Sequence, residues 1–457
     1  MLKHKKYIWL QLAVIMTASC ALAANDNYYL QDNEMPNELV YLPLPPDSSM
    51  IATNGDYAWW IWGKQQRNTP RGEQASWETK FGIVRMCTIY SDVLGIDISE
   101  DYTPAIYQLM RRAGNTGSRS VAKMKSKYFR KRPFVLMHED TWGQYDTQQE
   151  LAGSSAYPSS HTGFGWGTAL ALAEMAPHMQ DTILRRGYEY GISRVIVGAH
   201  WRSDVDAAML CASAAFARSH VSQDFVDDMQ AAKEEYMSIK GLSESQINTN
   251  SSPSLLKILD PPALADSYQF HGDVTTYWQT KTERNSPRGQ QAITDASLND
   301  DAIISGFAES AGIDISSSST PRIKSLIVTL KFMFGLYAAS MKDNWYRNRP
   351  YAQLGDATSV PADEDTYYNE SSYPSGHAMI GWGIAMVLAE VMPDRQDAIL
   401  KRGYDFGWSR VITGFHYPSD VQAGRVMAAC FLAKLHNDST FNNMLETAKQ
   451  EYANLTQ

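Results

Sequence analysis

Residues 162–177 read TGFGWGTALALAEMAP, and residues 378–393 read AMIGWGIAMVLAEVMP. Both stretches are rich in Ala, Leu or Met, are apolar on nearly all faces, and end at a proline, through which a helix cannot continue. Alternating apolar and polar residues, which are typical of half-buried β-strands, are scarce in the chain. We therefore predict an all-α fold in which each stretch is the buried central helix of a helical bundle.

The two stretches belong to a repeat that runs through the whole chain. RRGYEYGISRVIVGAHWRSD at 185–204 returns as KRGYDFGWSRVITGFHYPSD at 401–420, and RNTPRG at 67–72 returns as RNSPRG at 284–289. The order of the repeated segments is the same in both copies. A repeat of this length indicates two tandem copies of one domain.

The repeat and the composition between the copies set the expected boundaries. We predict a first domain at 40–240 and a second domain at 255–457, joined by a linker at 241–254 that is rich in Ser and Asn. The two copies are also expected to pack on each other as an intramolecular pseudo-dimer.

The amino terminus predicts export. Residues 1–23 combine a basic start, an apolar run and a small-residue cleavage site at Ala21-Leu22-Ala23, which is typical of a secretory signal peptide. The apolar run is too short to cross a bilayer, and no later stretch is long enough, so no transmembrane span is expected. We predict a periplasmic protein, with lipid anchoring at Cys20 as the alternative.

Composition excludes several classes of function. The 457 residues are 44% hydrophobic and 20% charged, and 41 basic against 50 acidic residues give a net charge of −9, so nucleic-acid binding is not expected. The cysteines form neither a disulfide scaffold nor a zinc motif. Cys87, Cys211 and Cys430 are expected to be buried free thiols, although a Cys87–Cys211 bridge remains open.

Each copy contains three polar clusters in the same order. The first copy has Lys125-x6-Arg132-Pro133, Pro158-Ser159-Ser160-His161 and Ser193-Arg194-x5-His200-x3-Asp204. The second copy has Lys342-x6-Arg349-Pro350, Pro374-Ser375-Gly376-His377 and Ser409-Arg410-x5-His416-x3-Asp420. One lysine and two arginines per copy form a cationic clamp that suits the oxygens of a tetrahedral anion, so the ligand is expected to resemble phosphate.

The other residues of the clusters predict how such an anion is held and attacked. Ser159 and Ser375 open the central helices, where a hydroxyl and the following backbone N–H groups point at an anion. An aspartate four residues after a histidine can bind one imidazole nitrogen and leave the other free to attack, as in His200 with Asp204. His416 with Asp420 has the same spacing, and the remaining histidine of each copy is a natural proton donor.

These clusters match, motif by motif, the type-2 phosphatidic acid phosphatase superfamily, and their surroundings most resemble the class A bacterial non-specific acid phosphatases. The resemblance covers about 40–240 and 255–455. It implies helical bundles of the type-2 phosphatidic acid phosphatase and vanadium haloperoxidase type.

The resemblance also implies a reaction and a role for each residue. The substrates would be small phosphomonoesters, hydrolysed through a phosphohistidine without metal or cofactor at a mildly acidic pH. His200 and His416 would be the nucleophiles, and His161 and His377 would protonate the leaving group. The phosphoryl oxygens would be held by the cationic residues of the two copies: Lys125, Arg132, Arg194, Lys342, Arg349 and Arg410.

One position departs from the family pattern. Ser160 stands where the second copy has Gly376, and the added Cβ would weaken the first site if the position needs a positive φ or a close backbone approach. The second copy is therefore expected to be the safer active site. The first copy as a non-catalytic phosphate-binding module and the whole chain as a vanadate-dependent haloperoxidase remain alternatives.

Two further patterns are not assigned to the site. Lys127, Arg130 and Lys131 are expected on a solvated helix face, because runs of basic residues are usually solvent-exposed. The repeated RNTPRG and RNSPRG segments fit either a phosphate contact or a turn held by salt bridges, and they are not assigned to the site.

Overall fold

The computed structural model describes residues 27–47, 53–143 and 148–456. The predicted signal peptide at 1–23 and the alternative of lipid anchoring at Cys20 lie outside these residues. Within them the chain forms helices and no β-strand, so the all-α prediction is confirmed.

The first copy consists of twelve α-helices and one 3₁₀ turn. The α-helices are α1 (Glu38–Tyr41), α2 (Thr53–Gln66), α3 (Pro70–Trp77), α4 (Ile83–Leu94), α5 (Pro104–Arg119), α6 (Ala122–Lys127), α7 (Pro133–Leu136), α8 (Gln148–Ala152), α9 (Ser160–Met175), α10 (Gln180–Ile196), α11 (Arg202–Ser219) and α12 (Gln223–Lys240) in the described part of this half. The 3₁₀ turn, at Pro177–Met179, separates α9 from α10.

The second copy follows two short helices and repeats the order of the first. The α-helices are α13 (Glu244–Ile247), α14 (Leu255–Ile258), α15 (Tyr268–Lys281), α16 (Pro287–Thr294), α17 (Asp300–Ala311), α18 (Pro321–Ala339), α19 (Pro350–Leu354), α20 (Glu364–Tyr367), α21 (Gly376–Val391), α22 (Gln396–Ile412), α23 (Pro418–Leu435) and α24 (Ser439–Leu455) as far as the structure describes them. The 3₁₀ turns are Pro361–Asp363 and Pro393–Arg395.

The predicted central helices are α9 and α21. Every residue of 162–175 and of 377–391 is buried, as expected for helices without a polar face. Ser159 caps α9 by accepting a hydrogen bond from Thr162 N at 3.2 Å, and Ser375 caps α21 by accepting one from Ala378 N at 3.4 Å. The sequence motif that opens each helix is therefore held in place by the helix itself.

Each central helix is surrounded by helices of its own copy. Helix α9 packs against α5, α10 and α11, and α21 packs against α18, α22 and α23. Helices α5 and α9 approach closely through glycines, because a Cβ on Gly117 would lie 2.2 Å from Gly163 O. In the second copy the larger Phe334 occupies the position equivalent to Gly117, beside Gly383 of α21.

The two copies contact each other through several helix pairs: α2 with α15, α11 with α21, α9 with α23, and α11 with α23. The contact between α2 and α15 is tight, because a Cβ on Gly272 would lie 2.5 Å from Gly55 Cα. The copies are therefore not separate bodies linked by a tether.

The segment before each copy's first long helix packs on the other copy. Asn37 N donates a hydrogen bond of 2.7 Å to Asp397 Oδ1, and Ser254 N donates one of 2.8 Å to Asp181 Oδ1. Helix α1 lies on α22, and α14 lies on α10. Each entry segment also contacts its own copy, since Arg119 donates to Asp32 and Tyr337 donates to Pro253 O. The entry segments, with part of the predicted linker, therefore lie between the two copies.

Cys87, Cys211 and Cys430 are buried free thiols, so the open alternative of a Cys87–Cys211 bridge is not realised. Within the described ranges, no helix combines the length and apolar character that crossing a membrane requires.

Candidate active site

The three polar clusters of each copy meet at the amino-terminal end of its central helix. In the first copy, Arg132 immediately precedes α7, Ser160 and His161 begin α9, and His200 lies in the turn between α10 and α11. Helices α9, α10 and α11 pack on one another, so residues far apart in sequence share one buried region. The second copy has the same arrangement at the start of α21.

His200 is held at both ring nitrogens. Its Nε2 lies 2.9 Å from Arg132 Nη1. Its Nδ1 lies 2.8 Å from the carbonyl oxygen of Ala156 and 3.4 Å from Asp204 Oδ2. Because a carbonyl oxygen only accepts, Nδ1 carries a proton and the Nε2 lone pair faces the arginine.

His416 has the same setting with one difference. Its Nε2 lies 3.1 Å from Arg349 Nη1, and its Nδ1 lies 3.5 Å from Asp420 Oδ2. Ser372 stands where the first copy has Ala156, and its hydroxyl donates a hydrogen bond to Asp420 Oδ2. The serine therefore shares the carboxylate oxygen that faces His416.

The aspartate that faces His200 is hydrogen-bonded to a buried arginine. Arg130 was expected on a solvated helix face, but it follows α6 and is only 7% exposed. Its guanidinium donates to Asp204 Oδ1 at 2.5 Å and to Asp56 Oδ2 at 2.6 Å. The expectation was correct for Lys127, which is exposed at the end of α6; Lys131 is exposed too, but it lies in the non-helical segment before α7.

The second copy contains the same arrangement of one arginine between two aspartates, and its residues recur in the sequence. Arg347 donates to Asp420 Oδ1 at 2.5 Å and to Asp273 Oδ2 at 2.7 Å. Asp56 and Asp273 recur together with a preceding glycine in the two copies. The arginine and both aspartates thus recur together in the two copies. Because buried charges must be paired, this joint recurrence indicates a buried arginine between two carboxylates.

The lysines of the first clusters donate hydrogen bonds to backbone carbonyl groups just before the central helices. Lys125 Nζ donates a hydrogen bond of 2.9 Å to Pro158 O, and Lys342 Nζ donates one of 2.6 Å to Pro374 O. Burial, followed by the charge of the neighbouring motif arginine, lowers the pKa of each lysine to about 7. A nearby anion would oppose this effect.

The arginines of the third clusters are the most buried cations of the site. Arg194 is 0% exposed and Arg410 is 1% exposed. Among the described residues, Arg410 Nε and Nη1 have no hydrogen-bond partner. Burial, and then the charge of Arg349, lowers the pKa of Arg410 to about 10. Buried donors of this kind require an acceptor, and a tetrahedral oxyanion supplies several.

His161 and His377 are the second residues of α9 and α21. His377 Nε2 donates a hydrogen bond of 3.0 Å to Ala296 O. Burial lowers the pKa of His377 well below its ordinary value, and the charge of Arg410 lowers it further. His161 shows the same direction from burial and then Arg194. An anion between these groups would raise both pKa values.

The position shared by Ser160 and Gly376 does not require the positive φ that would favour glycine. Each residue is the first of its central helix, and the backbone φ of Gly376 is not positive. A Cβ on Gly376 would lie 3.4 Å from Ala338 Cβ, which is an ordinary contact. Backbone conformation therefore gives no reason for Ser160 to weaken the first site.

The repeated RNTPRG segment forms a helix start rather than a phosphate contact. Thr69 caps α3 by accepting from Gly72 N. Arg71 donates to Ser193 Oγ at 2.9 Å and to Glu189 O at 2.7 Å. Arg71 therefore supports the helix that carries the third cluster.

Metal-type ligands come together at one place in the described residues. His220, Glu390 and His436 offer ligand atoms within 4.8 Å of one another, at the boundary between the copies. The rings of His220 and His436 are 10° from parallel, so their nitrogen lone pairs do not converge on one point as the ligands of a zinc ion do. The arrangement of these three side chains suits a cluster of ion pairs better than a metal centre.

Comparison with known proteins agrees with the two-copy arrangement. The PAP2 superfamily profile matches residues 113–226 and again residues 324–443. A protein named non-specific acid phosphatase from Providencia stuartii is 40% identical over 219 residues, which are 47% of this chain and 87% of that protein.

Two further relatives show the same coverage. An acid phosphatase from Zymomonas mobilis is 35% identical over 200 residues, 44% of this chain and 75% of that protein. A non-specific acid phosphatase from Salmonella typhimurium is 36% identical over 194 residues, 42% of this chain and 78% of that protein. Each relative thus corresponds to about one copy, and with both copies matched by the family profile, this chain belongs to the PAP2 superfamily.

Proposed function

We propose that the chain is an acid phosphatase with two active sites, one in each predicted domain, that hydrolyses small phosphomonoesters with broad specificity. The observation that carries this proposal is a buried histidine, His200 or His416, with an aspartate facing one nitrogen and an arginine facing the other. The names of the relatives support the same activity.

The first chemical step forms a phosphohistidine. His200 Nε2 attacks phosphorus, so an N–P bond forms while the P–O bond to the leaving group breaks. His161 gives its proton to the leaving oxygen, and an alcohol departs. Asp204 faces the Nδ1 proton and stabilises the positive charge that develops on the imidazole.

The second step returns the enzyme to its starting state. A water molecule gives a proton to His161 and attacks phosphorus, and the N–P bond breaks. Inorganic phosphate leaves, and His200 Nε2 regains its lone pair. His416, His377 and Asp420 perform the same steps in the second copy.

The cationic clamp takes the place that a metal ion has in other phosphoryl-transfer enzymes. Lys125, Arg132 and Arg194 surround the phosphoryl oxygens, and Ser159 with the first backbone N–H groups of α9 completes the shell. Three positive charges aimed at the oxygens, two of them on buried arginines, stabilise the transition state without metal. The proposed reaction therefore proceeds in excess chelator.

A mildly acidic optimum follows from the two histidines. The nucleophile must be neutral while the proton donor is charged, and the phosphate dianion favours the charged donor by raising its pKa. Acidic pH then populates the required pair of protonation states.

The proposal extends to compartment and assembly. Residues 1–23 have the features of a signal peptide, which supports export to the periplasm. The helix contacts between the copies, and the entry segments that lie between them, support an intramolecular pseudo-dimer.

The decisive experiment is hydrolysis of a chromogenic phosphomonoester from pH 4 to 9 in excess chelator. It compares the wild type with His200→Ala, His416→Ala and the double variant, and acid quenching after mixing with a ³²P-labelled ester detects the phosphohistidine. We expect chelator-resistant activity that each single variant retains in part and the double variant loses. Full activity in the double variant, or halide oxidation with added vanadate that exceeds hydrolysis, would overturn the proposal.

A further inference from the structure

The two phosphate sites are nearly identical, but the surfaces above them differ. A cavity of about 690 Å³ leads from solvent to Lys125 and Ser160 in the first copy. Asn115 and Arg119 of α5, Lys127 at the end of α6, and the exposed rings of Phe81 and Phe129 line this cavity. We call this lining the first mouth, and the equivalent positions of the second copy the second mouth.

The repeat identifies the residues of the second mouth. Aligning Lys125 with Lys342 places Phe332 at the position of Asn115, Leu336 at that of Arg119, and Asn344 at that of Lys127. Asn115 and Arg119 of the first mouth are thus replaced by apolar side chains in the second, and Lys127 is replaced by a neutral asparagine. Phe81 and Phe129 align with Leu298 and Tyr346, so apolar groups occur in both mouths and the difference lies at the other three positions.

Phe332 and Leu336 lie on α18, which packs on α21, and both side chains face solvent. Helix α18 runs along the start of α21, where a Cβ on Gly376 would lie 3.4 Å from Ala338. Phe332 is 62% exposed and Leu336 is 56% exposed. Residues four apart share one helix face, so the two side chains form one apolar strip on α18 that leads toward Lys342.

Charge also separates the two mouths. Arg119 donates two hydrogen bonds to Asp32, of 2.9 and 2.7 Å, so this exposed pair contributes little net charge. Lys127 adds a positive charge, whereas the second mouth has Asp343 where the first has Ser126. The first mouth therefore favours an anionic group and the second disfavours it.

The leaving group of the ester is what these surfaces contact. The clamp reads only the phosphoryl group, so discrimination between esters comes from the groups above it. An aromatic or alkyl leaving group removes Phe332 and Leu336 from water, which is favourable in proportion to the apolar area covered. A leaving group that carries a further phosphate is attracted by Lys127 and bound by the donors of Asn115.

Resting on the proposed function, we infer that the two sites divide substrates by leaving group. The first site takes polar and anionic phosphomonoesters, such as sugar bisphosphates, and the second takes esters with an aromatic or alkyl leaving group. The duplication thus widens the range of esters hydrolysed by a single chain.

The test uses variants that each leave one intact nucleophile. His416→Ala leaves the first site and His200→Ala leaves the second, and kcat/KM is measured for 1-naphthyl phosphate and for fructose 1,6-bisphosphate. We expect the ratio of the two values to differ between the variants by roughly tenfold or more, the scale of a pocket contact to a small group. Added salt should lower bisphosphate hydrolysis at the first site more than naphthyl phosphate hydrolysis, because salt screens exposed charges.

An exchange of mouth residues tests the cause. Phe332→Asn with Leu336→Arg, made in the His200→Ala chain, should move the ratio toward that of the first site. Tyr268→Asn is the matched control, since it removes an exposed aromatic side chain of the same half outside the mouth. The control should leave the ratio unchanged.

The outcomes separate this inference from the proposed function. Equal ratios in the two single-site chains, or an exchange that leaves the ratio unchanged, overturn the division of substrates while leaving the phosphatase proposal intact. Absence of hydrolysis from both single-site chains overturns the phosphatase proposal and the inference with it. Turnover of both esters by one site alone also overturns the division of substrates and leaves a phosphatase with a single active site.

Discussion

The imidazole rings of His220 and His436 stack face to face across the boundary between the copies, with 3.5 Å between ring centroids. His220 Nε2 lies 2.9 Å from Glu174 Oε2, and His436 Nε2 lies 3.2 Å from Glu390 Oε1. Burial disfavours charge on His220, but Glu174 outweighs it and raises the pKa of that histidine. Burial and then the charge of His220 lower the pKa of His436, so the stack holds its proton on one ring.

This cluster predicts an acid limit to stability. Burial raises the pKa of Glu174, but the charge of His220 outweighs burial and lowers it to about 2. The unfolded chain, with an ordinary pKa near 4.5, binds more protons between these values, so stability falls as pH falls through that window. Glu174→Gln should lose up to about 3 kcal/mol at pH 6 and show a flatter decline below pH 4.5.

Urea denaturation of both chains from pH 7 to 3 measures this difference. Glu73→Gln, at an exposed carboxylate of α3, is the control and should follow the wild type. Parallel pH profiles for the wild type and Glu174→Gln would show that the stack contributes nothing to the acid limit.

Arg130 predicts a loss of turnover without a loss of binding. Lysine at this position keeps the charge but cannot bridge Asp204 and Asp56 as the guanidinium does. Losing one charge-assisted hydrogen bond of about 1.5–3 kcal/mol should lower kcat roughly ten- to hundred-fold in Arg130→Lys, made in the His416→Ala chain. KM should change little, because Arg130 binds Asp204 and not the phosphoryl group.

Steady-state kinetics on a chromogenic ester separates these two constants. Lys131→Ala removes the neighbouring exposed cation and should leave both constants unchanged. A rise in KM at constant kcat in Arg130→Lys would instead place Arg130 in the phosphate clamp.

Ser160 predicts that the first site is not impaired by its departure from glycine. In the His416→Ala chain, Ser160→Gly should change kcat/KM by less than about twofold, because the position has ordinary helical φ and room for a Cβ. Gly376→Ser in the His200→Ala chain should be equally mild. A tenfold gain in the first variant would contradict this expectation and restore the view that Ser160 weakens the site.

Lys125 and Lys342 predict an alkaline limit to activity. Their pKa of about 7 means that Lys125 and Lys342 lose their charge above neutral pH in the free enzyme. Because the charged form binds the phosphoryl oxygens, kcat/KM should fall as pH rises through about 7. In the His416→Ala chain, Lys125→Arg keeps its charge at high pH, so the alkaline limb should move upward; an unmoved limb would assign it to another group.

Local patterns were sufficient to predict the helices and the site motifs. The apolar stretches at 162–177 and 378–393 have no polar face, so burial at the centre of a bundle is their only stable environment. The recurrence of the three clusters in one order predicted that their side chains share a region in each copy, and the structure brings them together near the start of each central helix.

Contacts between distant residues decided the rest. Arg130 lies in a run of basic residues whose composition predicts exposure, and only the approach of Asp56 and Asp204 makes its burial favourable. The hydrogen bonds of Asn37 and Ser254 to the other copy and the stacking of His220 on His436 arise in the same way. Burial and pairing depend on which surfaces meet in three dimensions, and a linear pattern states the chemistry of a side chain but not its neighbours.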